Sequence, residues 1–213
     1  MGKLSNLEDI HDVDLDAANQ TKLKSNCVEF IRGDIQDTSL AIKITKDIDV
    51  IVHLAANTGV SPSIQDPKRD FEKNVAGTFN YLNAARINKV PRFVFASSGA
   101  SVGNCSPPIH EELPTHPISP YGASKLSGEA YCSAFFHSYG IDSIALRFSN
   151  IYGPQSAHKD SVIAKFIKDA IRGDPLVIYG DGNQTRDFLY VQDLVEAIYI
   201  ASTKENLIGG QIF

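Results

Sequence analysis

Tyr121 and Lys125 set a phenol and an ammonium four residues apart within Ser119-Pro120-Tyr121-Gly122-Ala123-Ser124-Lys125. On a helix the two side chains lie on one face, one above the other. Ser119 is a good N-cap and Pro120 is tolerated in a first turn, so the stretch predicts a helix start here. A fixed cation beside a phenol stabilises phenolate and lowers its pKa from about 10, as a general base near neutrality requires. The same spacing also fits a Tyr/Lys pair on an ordinary surface helix, so the surroundings must decide.

Other chemistries find less support. His11, His53, His110, His116, His137 and His158 show no H-x-x-x-H pairing, and Cys27, Cys105 and Cys132 form no C-x-x-C. Neither a zinc site nor a disulfide framework is expected; each histidine reads as structural or solvated, and the compartment as reducing. A net charge of -5 and a pI near 5.6 argue against a non-specific nucleic-acid binder, while leaving room for a local site for one phosphorylated ligand. No apolar run is long enough to span a bilayer, and the first residues are polar and acidic rather than signal-like. A cytoplasmic protein with no membrane partner is expected. With 213 residues, 43% of them hydrophobic and 21% charged, the chain can bury a core as one domain, or one domain plus part of another.

The elements that must position these groups alternate in type. Residues 27–31 are a short β-like run, followed by a helix to about residue 46. Residues 49–56 are apolar without alternation, as in a strand buried on both faces of a parallel sheet. Helical periodicity covers 66–88, and 92–96 is a strand ending in Ser97-Ser98-Gly99. A Pro-rich loop, a helix to about residue 139 and a strand at 143–148 repeat the pattern. Such alternation implies βαβ units and an α/β fold, a doubly wound parallel sheet. Beyond residue 150 the pattern is less regular: a helix at 160–172, an extended run at 176–179, a turn at Asp181-Gly182, a strand at 185–190 and a helix at 192–203. Ligands of such sheets gather at the carboxyl ends of the strands. Asp34, Ala55, Ala56, Ser98 and Asn150 fall at those ends, and Tyr121 opens the helix between the last two.

With those segments placed, the chain resembles the extended short-chain dehydrogenase/reductase family, in particular its NAD-dependent nucleotide-sugar epimerases and dehydratases. The motifs run in family order: Gly33-Asp34-Ile35, His53-Leu54-Ala55-Ala56, Asn74-Val75-Ala76-Gly77-Thr78, Ser97-Ser98-Gly99-Ala100, Tyr121-Gly122-Ala123-Ser124-Lys125, Arg147-Phe148-Ser149-Asn150-Ile151-Tyr152-Gly153-Pro154 and Gly180-Asp181-Gly182-Asn183-Gln184-Thr185-Arg186-Asp187-Phe188. The resemblance implies that Tyr121 is the base, Lys125 its electrostatic partner and a ribose ligand, and Ser98 a hydrogen-bonding relay to the sugar hydroxyl. Asp34 and Ile35 would border the adenine of NAD. Leu54, Ala55, Ala56 and Asn74 would lie along the cofactor, and Asn150 and Arg186 would hold the substrate diphosphate. Taken without the family, Ala55-Ala56 fits close packing, Asn74 and Ser98 fit turn caps, and Arg186-Asp187 fits a surface ion pair.

Dehydratases of this kind carry an Asp and a Glu directly after the hydroxyl residue. Gly99 and Ala100 stand there, and neither can exchange a proton. The branch that needs no further acid or base is 4-epimerisation of a UDP-hexose through a 4-keto intermediate. A non-catalytic nucleotide-sugar-binding remnant, or a reductase or dehydratase of the same family, is the alternative. The family's usual tyrosine in the serine motif is replaced by Val102, which bears on substrate fit more than on reaction type.

The family opens with a strand and a G-x-x-G-x-x-G turn that holds the cofactor pyrophosphate. No such turn occurs here, and Gly2-Lys3-Leu4-Ser5-Asn6-Leu7-Glu8 resembles the loop after the second strand of the family. The expectation is a chain truncated at both ends: residues 1–150 an incomplete NAD-binding Rossmann-like domain, 151–213 part of a substrate-binding region. An exposed sheet edge, weak NAD retention and low solubility follow from that expectation. The full-length enzyme is expected to be a homodimer.

Overall fold

The computed structural model describes residues 24–25, 28–154, 156 and 161–213. Residues 2–8, His11, Cys27 and His158, to which the sequence assigned roles above, lie outside them. The chain divides into two compact units, Met1–Asp34 and Ile35–Phe213. In the first, β1 (Lys24–Ser25) pairs antiparallel with β2 (Val28–Glu29). Two residues join these strands, which permits a hairpin and no parallel crossover. The β-like run at 27–31 is therefore shorter than predicted and hairpin-paired.

The second unit is a four-stranded parallel sheet in the order β3-β4-β5-β8. Its strands are β3 (Val50–His53), β4 (Arg92–Ser98), β5 (Asp142–Phe148) and β8 (Gln211–Ile212). Ser98 stands in register with Phe148 and His53 with Phe95, so three carboxyl ends reach one rim. β3 is the edge of this sheet, and Val52 and the following Leu54 are exposed there, at 39% and 54%. The core beneath the rim joins Ile51, Phe93, Phe95 and Ala145 to Leu82, Cys132 and Phe135 from the helices. Val94, Ile144, Leu146 and Ala201 form a second cluster.

The helices are α1 (Thr38–Ile44), α2 (Val60–Gln65), α3 (Pro67–Asp70), α4 (Gly77–Asn88), α5 (Pro120–Tyr139), α6 (Val162–Arg172) and α7 (Val191–Thr203). The helix predicted at 66–88 is α3 and α4 joined by a π-helical turn, Phe71–Ala76. Such a widened turn often marks a functional site; here it carries Asn74. α2 lies where the sequence reads as a loop. Extended structure at 176–179 does not pair, and the strand at 185–190 shrinks to β7 (Leu189–Tyr190), which pairs with β6 (Ile151–Tyr152). Residues 174–188 are exposed throughout, so little burial holds them in a ladder. No helix among the described residues is long and apolar enough to cross a membrane.

Candidate active site

α5 begins as the sequence requires. The Ser119 hydroxyl accepts from Gly122 N at 3.1 Å and Pro120 occupies the first turn. Gly122 then allows a close approach: a Cβ there would lie 2.4 Å from the Ala100 carbonyl oxygen. Tyr121 is thereby held against the short 3-10 turn Gly99–Ser101 that follows β4. Ser98 caps this turn, its hydroxyl accepting from Ala100 N at 3.2 Å. The Ser98 hydroxyl lies close enough to the Tyr121 phenol to favour its ionised form. The Tyr121 N–H donates to the buried Ser63 hydroxyl at 3.1 Å, so α2 braces the same turn.

Lys125 is buried one turn further along. Its Nζ donates to the Ala96 carbonyl at 2.7 Å and lies 5.0 Å from the centre of the Phe95 ring and 5.9 Å from that of Tyr121. Burial pulls its pKa from 10.5 down to about 8, partly opposed by the Asp70 carboxylate. The phenol of Tyr121 is pushed above its usual value, first by burial and further by the negative charge of Asp70; the Ser98 hydroxyl acts the other way. The sequence led to a phenol lowered by Lys125. The structure corrects that: the ammonium is spent on the strand carbonyl, and desolvation dominates at Tyr121.

Asp70, which the sequence did not single out, is buried. Its carboxyl pKa is raised by burial, against the pull of Ser124, Lys125 and Asn74. The D-x-x-x-N spacing with Asn74 was its only signal: at i, i+4 the Asn74 Nδ2 donates to the Asp70 carboxylate at 2.9 Å. Asn74 also grips the backbone of Asn57, accepting from its N–H at 2.7 Å and donating to its carbonyl at 2.9 Å. A contact from Nδ2 to the Ser124 hydroxyl at 3.2 Å completes the link between the loop after β3 and the first turn of α5. Asn74 thus positions the loop carrying Leu54, Ala55 and Ala56.

Other sequence-predicted residues have surroundings of their own. Ile35 packs on the start of α4, where a Cβ at Gly77 would lie 2.6 Å from its Cδ1. Asp34 belongs to the first unit. Asn150 adopts a left-handed φ of 45° and its Nδ2 donates to the Asp187 carbonyl at 3.0 Å, which brings the 186–187 segment beside the end of β5. The exposed Arg186 donates from Nη1 to Thr185 O at 2.8 Å. Among the described residues no hydrogen bond joins Asn150 or Arg186 to Ser98, Tyr121 or Lys125. His53 is structural as expected: buried beside Phe93, its imidazole contacts Thr78 Oγ1 through Nε2 at 3.2 Å. Burial, with Lys125 adding to it, pulls its pKa down to about 4. Val102 is also a core residue, 1% exposed. No cluster of metal-ligating side chains occurs among the described residues.

The sequence comparison assigns the chain to a known family. The model of the NAD dependent epimerase/dehydratase family covers residues 4–213. The chain belongs to that family. It is 41% identical over 184 residues to a putative UDP-glucose 4-epimerase of Methanocaldococcus jannaschii, covering 84% of this chain and 60% of that relative. The solved UDP-N-acetylglucosamine 4-epimerase of Methanobrevibacter ruminantium superimposes with a TM-score of 0.80 at 36% identity, over 85% of this chain and 59% of its own. A double mutant of the dTDP-glucose 4,6-dehydratase DesIV of Streptomyces venezuelae, solved with NAD bound, gives 0.78 at 32%, over 87% and 57%. The chain thus spans about three fifths of the length of these relatives. The parallel, Rossmann-like sheet read from the sequence is the fold of this family.

Proposed function

We propose that this chain carries the proton-transfer half of a nucleotide-sugar 4-epimerase acting on a UDP-hexose with NAD. The observation that carries the reading is that Ser98, which faces Tyr121, is followed by Gly99 and Ala100, neither of which carries a carboxyl group. A dehydratase needs an acid and a base at those positions; an epimerase needs neither. The named relatives include both activities, and the empty acid positions favour the epimerase.

The residues present fit part of the cofactor, without a glycine-rich turn for its pyrophosphate among the 213 residues. Ala55 and Ala56 leave the loop after β3 without bulky side chains, and Lys125 has three N–H donors, of which Ala96 takes one. Leu54, Ala55 and Ala56 would line the cofactor, Asp34 and Ile35 its adenine, and Lys125 its ribose. Asn74 acts on the cofactor through the Asn57 backbone. NAD, when bound, supplies a hydride acceptor that returns the hydride. Tyr121 would take the proton of the sugar 4-hydroxyl as C4 is oxidised and give it back as C4 is reduced. That requires the phenol, whose pKa burial raises here, to be ionised once cofactor and substrate are bound. Ser98 would hydrogen-bond the same oxygen. Asn150 and Arg186 would hold the diphosphate, a role suited to a guanidinium. On this reading residues 1–150 serve the cofactor and 151–213 the substrate.

The homodimer expected of the full-length enzyme is supported by the aromatic face of α4 and α5, where Phe79, Tyr131 and Tyr139 are 38%, 39% and 55% exposed. Sedimentation of the protein would test that part. The activity is tested by incubating the protein with NAD and UDP-glucose or UDP-N-acetylglucosamine and following the C4 epimer by NMR. Conversion is expected; a deoxy-keto product would mean dehydration instead.

A further inference from the structure

Tyr121, Lys125 and Glu129 lie at i, i+4 and i+8 on α5, and all three reach the end of β4 or the turn that follows it. Tyr121 meets Ser98, and Lys125 donates to Ala96 O. Glu129 accepts from the Ser97 hydroxyl, and from the Ser101 hydroxyl at 3.0 Å. The third contact flanks Ser98 on both sides, because Ser97 precedes it and Ser101 also lies 2.8 Å from its carbonyl oxygen. Gly128 makes the approach feasible, since a Cβ there would lie 2.3 Å from Phe95 Cζ.

The carboxylate is itself fixed. Arg147 grips it as a fork, Nε to Oε1 and Nη2 to Oε2, both at 2.8 Å. The two side chains are 8% and 1% exposed. This arrangement is a poor device for stability: a buried pair is often no better than apolar residues of the same volume, and the buried Arg147 Nη1 finds no hydrogen-bond partner among the described residues. What the pair does secure is geometry at Ser98. We infer that Glu129, clamped by Arg147, is a positioning residue that holds the Ser98 hydroxyl at Tyr121. The rate effect of this role rests on the epimerase reading; the geometric effect does not.

The test replaces the pair by Glu129→Leu with Arg147→Met, of similar volume, and compares the Tyr121 13Cζ chemical shift at neutral pH, which reports hydrogen bonding at the phenol. Ser98→Ala supplies the shift for a phenol without the Ser98 hydroxyl beside it. Asp70, whose charge acts on the phenol, and Lys125, whose Nζ lies 5.9 Å from its ring centre, are unaltered in every variant. In the double variant the resonance is expected to move most of the way to the Ser98→Ala position, with kcat lowered roughly 10- to 100-fold and KM within about twofold, the pattern of a misplaced reacting group. Should the double variant not fold, Ser97→Ala, which removes one donor and keeps the ion pair, is expected to move the resonance in the same direction. A Tyr121 shift unchanged in the folded variant would overturn the inference. A parent protein without epimerase activity would sink the functional reading alone, because the resonance still decides the positioning role.

Discussion

The Lys125 ammonium donates to the Ala96 carbonyl at 2.7 Å, so the charge of α5 is tied to β4 instead of resting on the Tyr121 hydroxyl. Its burial, with a pKa of about 8, sets the first expectation. Between pH 8 and 10.5 the unfolded chain binds more protons at this site than the folded one, so stability rises with pH across that window. Below pH 8 the full penalty of the buried charge, about 3 kcal/mol, is present. Lys125→Met removes the penalty and loses a hydrogen bond worth about 1–2 kcal/mol. In urea titrations at pH 7 the variant should be the more stable protein by about 1–2 kcal/mol, an advantage that shrinks toward pH 10, while activity is lost.

Tyr121→Phe deletes one oxygen, the one that faces the Ser98 hydroxyl. The fold should be retained, since the N-cap and the Ser63 brace act on the backbone. Epimerisation should fall by about 10²–10⁴-fold, the range for a lost general base. Survival of activity within a few-fold would remove Tyr121 from the proton path.

His53 has its pKa held near 4 by burial. It must therefore stay neutral in the fold while the unfolded chain protonates near 6.5. Stability should fall as pH drops from 6.5 to 4, by roughly 3 kcal/mol from this site. His53→Gln should flatten that part of the profile in denaturant titrations at pH 7, 5.5 and 4. A parent profile that is already flat would place the imidazole in solvent.

Gly122→Ala would force a Cβ against the backbone oxygen of Ala100, which cannot rotate away as a side chain can. The first turn of α5 must shift, with an expected cost of about 1–3 kcal/mol and a larger loss in kcat than in stability. Ala123→Gly, at the exposed neighbour, is the control for helix propensity.

The sequence made much of this legible because short local patterns carried it. The capped start of α5 and the small residues after β3 each follow from local sterics. The burial on both faces that the apolar run of β3 implied does not hold, because β3 is an edge strand with Val52 exposed. Asp70 and Glu129 were not legible as site residues. Each is a single carboxylate on a helix, and only tertiary packing brings Asp70 to Lys125 and Glu129 to Ser97, Ser101 and Arg147. The lowered Tyr121 pKa failed for the same reason: spacing gives proximity along a helix, whereas burial and the direction of the ammonium depend on the strand beneath it.

The most direct test uses UDP-glucose deuterated at C4, incubated with the protein and NAD and followed by NMR. Epimerisation through hydride return at Tyr121 and Ser98 is expected to give UDP-galactose with deuterium still at C4. Deuterium lost to solvent, a 6-deoxy-4-keto product, or no conversion by folded protein with NAD present would contradict it.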